Sequence, residues 1–309
     1  MYWPFLINCL AIFLFTDFNQ PQQVVAAYQD CRGAATAEHF LPVNDDKKRF
    51  TKDPAAPEPE VSAPRGVVML SADNSFLYTK EAAATQPIAS LTKLMTALVF
   101  LENNPGFDKE YKISPSDHVA GGKIHFWSGD TVTILDLFKS SLIGSDNVAT
   151  RALAKSTGLS EDAFVAEMNN QAKRLGMFSS HFVEPTGLSA ENISSAQDVA
   201  RLVKATLAYP EIAETTNLAN YSFKTKEGKL RQVEATNDLL RTNPDSDLSL
   251  TGAKTGYTEE AGYCFAAAIN EAGTEETIIT VVLGASSSAE RFFDTEKLAT
   301  WVATYFSWR

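Results

Sequence analysis

Strand-forming sequence lies at both ends of the foldable part of this chain, with a long helical stretch between. That arrangement limits the fold more than any other feature. The runs GVVML (66–70) and FLYTK (76–80) flank Ser71-Ala72-Asp73-Asn74-Ser75, so they read as two strands joined by a turn. An apolar helix follows and stops before NNPG (103–106). The middle is mostly helical: ILDLFKSSL, then NVATRALAKSTG, then SEDAFVAEMNNQAKRLG with a capping Ser160, early acids, late bases and Gly176 after it. In SAQDVARLVKATLA, Ser195 and Asp198 form a capping-box pattern. The β signal returns in YSFKTK and LRQVEA around Glu227-Gly228. It continues in LTGAKTGYT, YCFAAAIN and TIITVVLG, the last two joined by EAGTEE. A final helix, SAERFFDTEKLATWVATYF, has apolar positions at 292, 293, 298, 301, 302 and 305. The economical solution is an α/β fold: a mainly antiparallel sheet built from both ends, covered by helices, with a helical subdomain inserted. The first and last segments then meet in space.

The front of the chain differs. Residues 2–15, YWPFLINCLAIFLF, are mostly apolar but shorter than the ~20 residues of a bilayer span. They fit the core of a secretory signal, although no Lys or Arg precedes them. Residues 1–27 are therefore expected to be a signal peptide or N-terminal anchor, which places the protein outside the cytoplasm and allows N-terminal membrane attachment. The polar stretch that follows closes with KDPAAPEPEVSAPR, whose prolines suggest an extended linker over 28–60. The folded domain is expected over 61–309. A net charge of −11 without a long basic run excludes nucleic acid as a natural partner. Cys9, Cys31 and Cys264 form no Cys-x-x-Cys pair, and His39, His118, His125 and His181 show no metal-ligand spacing. No metal or cofactor is expected, and Cys31 and Cys264 are expected to stay unpaired.

Three short stretches carry chemistry. In PIASLTKLMTA (87–97), Ser90 and Lys93 are three residues apart, so on a helix they share a face. A serine hydroxyl needs a base to become nucleophilic, and a lysine can be that base only when desolvation or a nearby cation favours its neutral form. Alone, this reads equally as a capping serine and a surface lysine. GSDN (144–147) holds the single Ser-x-Asn of the chain, at a break between two helical patterns. KTG (254–256) lies on an expected strand. Taken together and in this order, the three form the signature of penicillin-binding proteins and class A β-lactamases.

The blocks IASLTKLMTA, GDTVTILDLFKSSLIGSDNVA, FVAEMNNQAKRLGM, SHFVEPTGL, SSAQDVARL, GAKTGYTEEAGYC and ITVVLG resemble successive stretches of the D-alanyl-D-alanine carboxypeptidase family, over roughly 61–309. The resemblance implies a β-lactamase/transpeptidase-like fold with a five-stranded antiparallel sheet. It also implies a serine-type hydrolase that removes the terminal D-alanine of peptidoglycan stem peptides and is acylated by β-lactams. On this resemblance Ser90 is the nucleophile and Lys93 its base. Ser145 relays a proton to the departing D-alanine, and Asn147 holds the acyl amide or Lys93. Lys254 and Thr255 take the substrate carboxylate, Gly256 lets the strand approach, and the backbone N–H groups of Ser90 and Tyr257 hold the oxyanion.

Three alternatives share these residues: a β-lactamase, a D,D-endopeptidase and a catalytically silent wall-binding protein. Glu184-Pro185 resembles the deacylating Glu of class A β-lactamases. The continuation Thr186-Gly187-Leu188 is that of the carboxypeptidases, so Glu184 is expected to play no part in deacylation.

Overall fold

The computed structural model describes residues 50–119, 121–242, 249–270 and 276–308. Residues 1–49, with the expected signal or anchor, Cys9, Cys31 and most of the linker, lie outside them, as do residues 271–275 of the expected turn. The described chain opens with β1 (Phe50–Lys52), β2 (Arg65–Leu70), β3 (Phe76–Lys80) and β4 (Thr85–Pro87). A 3-10 turn, Ala89–Leu91, leads into α1 (Thr92–Glu102). The middle contains β5 (Glu110–Lys112), β6 (Thr131–Thr133), α2 (Ile134–Ile143), α3 (Asn147–Ser156), α4 (Glu161–Arg174), β7 (Ile193–Ser195), α5 (Ala196–Thr206) and α6 (Pro210–Thr216). The chain then runs through β8 (Asn220–Lys224), β9 (Leu230–Glu234), β10 (Ser249–Thr258), β11 (Gly262–Asn270), β12 (Thr277–Ala285), α7 (Ser288–Tyr305) and β13 (Phe306–Trp308).

The two ends meet as the sequence requires. The main sheet has the order β10-β11-β12-β2-β3 and is antiparallel throughout. The junction is β12 on β2, with Val281 opposite Val67 and Ile278 opposite Leu70. The central strands are buried on both faces, which is why GVVML and TIITVVLG are continuously apolar rather than alternating. The period of two still sorts their side chains. Val67, Met69, Ile279, Val281 and Leu283 enter the core shared with α1 and α5. Val68, Leu70, Ile278 and Val282 enter a second core under α7, against Leu298, Trp301 and Val302. The hairpin β8–β9 forms its own two-stranded ribbon and does not join this sheet.

Helix α1 is buried at every position from Thr92 to Phe100, so it runs through the domain rather than along its surface. The expected caps form: Ser160 accepts from Ala163 N at 3.2 Å and Ser195 from Asp198 N at 3.2 Å. The Asp198 carboxylate, however, turns to Ser179, Ser180 and Arg201, leaving half of the expected capping box.

One expectation changes. Residues 50–60, expected within the linker, are part of the packed unit that begins at Phe50. The Pro-rich run has no regular element, as its composition implies, but it is tied down. Strand β1 pairs antiparallel with β13, which follows the last helix and carries no strong sequence signal. Trp301 Nε1 donates to Pro57 O at 2.7 Å, and Phe50 stacks on Phe306 at 5.5 Å. These contacts are formed between residues about 250 apart, so no local pattern announces them. Together they stabilise the domain by about 2–4 kcal/mol. A chain starting at Val61 is therefore expected to unfold about 5–10 °C below one starting at Phe50. Differential scanning calorimetry on the two would reveal it, and equal midpoints would show that residues 50–60 add nothing.

Candidate active site

Ser90 sits in the 3-10 turn before α1, and the backbone there is strained. Ala89 has φ +48°, a left-handed conformation unusual for a residue with a Cβ. Two glycines hold the turn from opposite segments. A Cβ on Gly187 would lie 2.0 Å from Ala89 O, and one on Gly256 would lie 2.8 Å from Ile88 O and 3.3 Å from Ser90 N. Gly256 belongs to β10, the edge strand of the sheet, so the exposed side of that strand lies along the Ser90 turn. Neither contact survives a side chain.

One turn later Lys93 is wholly buried, not displayed at a solvent edge as an amphipathic helix would display it. Its Nζ lies 3.0 Å from Ser90 Oγ, 2.7 Å from Asn147 Oδ1 and 2.5 Å from Thr186 O. Burial pulls its pKa from the ordinary lysine value down to about 7, against an opposing pull from Glu184 and Asp146. The neutral amine has two hydrogens and one lone pair. Thr186 O can only accept. Asn147 Oδ1 can only accept too, and its orientation is fixed because Nδ2 donates to Gly121 O at 3.0 Å. Both hydrogens are therefore taken, and the lone pair faces the Ser90 hydroxyl.

Asn147 opens α3, and Asp146 caps that helix by accepting from Ala149 N at 2.8 Å. Ser145, with φ +57°, is the second strained non-glycine residue at the site. Its Oγ lies 3.0 Å from Lys254 Nζ, which also donates to Thr255 O at 3.1 Å. Lys254 is buried too. Desolvation, then the positive charges of Lys93 and Arg291, hold its pKa well below the usual lysine range. Thr255 Oγ1 is 2.5 Å from Thr236 Oγ1. Tyr257 is half exposed at the rim, stacked on Tyr263 with ring centroids 4.2 Å apart. The sequence-derived set, Ser90, Lys93, Ser145, Asn147, Lys254, Thr255, Gly256 and Tyr257, is thus brought to one place. Ser90, Ser145, Asn147, Thr255, Gly256 and Tyr257 line a cleft of about 230 Å³.

Four lining residues carried no motif: Gly122, Lys123, Thr236 and Arg291. Arg291, near the start of α7, donates from Nη1 to Gly256 O at 3.2 Å and adds a third buried cation. Thr236 follows the β8–β9 hairpin, and Lys123 precedes α2. Their distance from the motifs in sequence is set by the fold alone, so spacing could not find them.

Glu184 stands apart from the cleft lining. Its carboxylate accepts from Thr186 N (2.7 Å), Thr186 Oγ1 (2.6 Å), Gly187 N (2.6 Å) and Asn192 Nδ2 (2.8 Å). It organises the loop that presents Thr186 O to Lys93. Cys264 is buried and unpaired, with its thiol pKa pushed up to about 11 by burial. Among the described residues no cluster of three or more His, Cys, Asp or Glu could hold a metal ion.

A family model described as D-alanyl-D-alanine carboxypeptidase matches residues 51–287. A D-alanyl-D-alanine endopeptidase of Haemophilus influenzae is 35% identical over 71% of this chain and 74% of its own length. A D-alanyl-D-alanine carboxypeptidase of Bacillus subtilis is 34% identical over 74% of this chain and 59% of its own. Among solved structures, a cefotaxime-bound penicillin-binding protein of Listeria monocytogenes is 34% identical, with a TM-score of 0.69 over 80% of this chain and 99% of that one. The DD-transpeptidase of a Streptomyces strain reaches a TM-score of 0.72 at 28% identity, over 80% and 99% of the two chains. With a matching sheet, matching motifs and a family match over most of its length, this chain belongs to the D-alanyl-D-alanine carboxypeptidase family.

Proposed function

We propose that this protein is a serine-type D-alanyl-D-alanine carboxypeptidase acting on peptidoglycan stem peptides outside the cytoplasm. The observation that carries the reading is the buried Lys93, whose two acceptors leave its lone pair facing Ser90 Oγ. Lys93 takes the Ser90 proton as Oγ attacks the carbonyl carbon of the penultimate D-alanine. The developing oxyanion lies between the N–H groups of Ser90 and Tyr257. The amide C–N bond then breaks, and the departing D-alanine nitrogen receives a proton through Ser145, which borders both Lys254 and the cleft. Water hydrolyses the acyl-Ser90 ester and frees the serine. Thr255, backed by Lys254 and Arg291, takes the terminal carboxylate. A β-lactam, with its own carboxylate and strained amide, fits the same groups and acylates Ser90.

A second reading, cleavage of D-alanyl cross-links, is supported by relatives named endopeptidases in Haemophilus influenzae and Escherichia coli, matched over 74% and 80% of their lengths. It uses the same residues and differs only in the size of the leaving residue. Mass spectrometry of the products from a pentapeptide and from a cross-linked dimer separates the two.

Penicillin is expected to add its mass to the peptide containing Ser90, and Ser90→Ala to lose both the label and D-alanine release. A label that persists in Ser90→Ala would remove the assignment. Because only neutral Lys93 is a base, acylation should rise with pH through about 7 and level off above it. Lys93→Arg should abolish it, since guanidinium keeps its proton. A flat rate from pH 5 to 9 would leave Lys93 without its role. Thr255→Val is expected to lower turnover of substrates with a free carboxylate by about 5- to 150-fold. Amidated substrates should change far less, and equal losses on both would contradict carboxylate recognition by Thr255.

A further inference from the structure

The Lys93 lone pair points at Ser90 only while the Asn147 amide presents its oxygen, so whatever fixes that amide sets the base. Three observations converge on the segment from Gly121 to His125. Gly121 O accepts from Asn147 Nδ2 at 3.0 Å. Gly122 has φ +79° and lies so close that a Cβ there would come within 2.9 Å of Asn147 Nδ2. His125 then fastens the segment with two bonds to one carboxylate oxygen: its backbone N and its ring Nδ1 each lie 2.8 Å from Asp146 Oδ2. A carboxylate only accepts, so Nδ1 carries the hydrogen. Asp146 is fully buried, and its other oxygen caps α3, the helix that begins with Asn147. Gly144 completes the fit, since a Cβ there would meet His125 Cε1 at 3.3 Å.

We propose that His125 is a positioning residue for the acylation step: by clamping the 121–125 segment to Asp146 it keeps Gly121 O on the Asn147 amide, and so keeps Asn147 Oδ1 on Lys93. His125 touches neither Ser90 nor the space where the scissile bond lies. It acts through Asp146 and the segment's backbone. Without the ring contact, the segment retains one bond to Asp146 in place of two, and the Asn147 amide is free to turn its nitrogen toward Lys93. Lys93 would then face two donors, Asn147 and Ser90, and its lone pair would have no reason to choose the serine. The inference rests on the reading of Ser90 and Lys93 given above.

The test is the penicillin acylation rate of full-length His125→Ala, His125→Asn and Gly122→Ala, with thermal unfolding and peptide kinetics measured alongside. His125→Ala should acylate about 10- to 100-fold more slowly, the range expected for a loosened reacting group. Its loss on a D-Ala-D-Ala peptide should fall on kcat with KM within about twofold, because the carboxylate pocket is untouched. His125→Asn should recover most of the rate, since its side-chain N–H reaches the position of Nδ1. Gly122→Ala presses on the Asn147 amide without altering His125 and should also slow acylation. It keeps the test open if His125→Ala does not fold. The proposal is overturned if His125→Ala acylates at the wild-type rate, if His125→Asn is as slow as His125→Ala, if the loss falls on KM, or if Gly122→Ala is unaffected. A wild type that takes no label at Ser90 would instead sink the reading of the site, and this inference with it.

Discussion

The burial of the Lys93 amine is the constraint on which the rest of the site depends. A lysine held near pKa 7 in place of 10.5 is destabilised as a cation by about 5 kcal/mol. That penalty is fully present below pH 7, where the folded and unfolded chains are both protonated. It is relieved as pH rises from 7 to 10.5, where the unfolded chain holds the extra proton, so stability rises with pH across that window. A neutral buried amine still needs acceptors for its hydrogens, and the protein supplies two from segments far apart in sequence. Asn147 Oδ1 comes from the start of α3 and Thr186 O from the loop before β7. The third position is left to Ser90. A structural lysine would be surrounded by acceptors. This one receives one fewer from the scaffold than its protonated form requires, and the remaining position is filled by the Ser90 hydroxyl.

The turn beneath Ser90 shows how such an arrangement persists. A left-handed Ala89 costs of order 1–3 kcal/mol and survives only where its surroundings over-determine it. Here the neighbours are backbone. Gly187 and Gly256 approach from two sides at distances no Cβ tolerates, and Ile88 N donates to Asn192 O at 3.1 Å, beside the β4–β7 pair. The strain in the turn is therefore balanced by the loop from 184 to 192 and by the edge strand β10. The loop runs between the core residues Phe182 and Ala196, and β10 is paired along its length with the buried β11, so the position of Ser90 is set by the whole domain rather than by its own helix.

Much of this was legible in the sequence, for definable reasons. The three central strands of the main sheet were visible because burial on both faces makes them continuously apolar. The caps at Ser160 and Ser195 were visible because capping is a local contact. The eight candidate site residues could be named because the motifs are short and their order is diagnostic of a family. What escaped was non-local or electrostatic. The pairing of β1 with β13 joins residues about 250 apart, and neither strand is long enough to carry a pattern. Arg291 reads as an ordinary helix residue until α7 is laid against β11 and β12 and its guanidinium reaches Gly256 O on β10. A helix periodicity that placed Ser90 and Lys93 on one face could not say whether that face met water, and the answer, none at Lys93, decides its chemistry. His125 shows no metal-ligand spacing and carries no other local signal, because its partner, Asp146, is 21 residues away.

Glu184 shows the same limit from the other side. As a motif it matches the deacylating carboxylate of the β-lactamases. A base that activates water for attack on an acyl ester needs a carboxylate oxygen with a free lone pair directed at that ester. Glu184 directs its oxygens inward, onto Thr186, Gly187 and Asn192, where four donors lie within 2.8 Å. Its charge does reach Lys93, but only to favour the protonated amine, which opposes the neutral form that burial promotes. The carboxylate thus acts as a strut. It closes the loop that brings Gly187 against Ala89 and Thr186 O onto Lys93, and the donors that hold it there occupy the oxygens a water-activating base would need free.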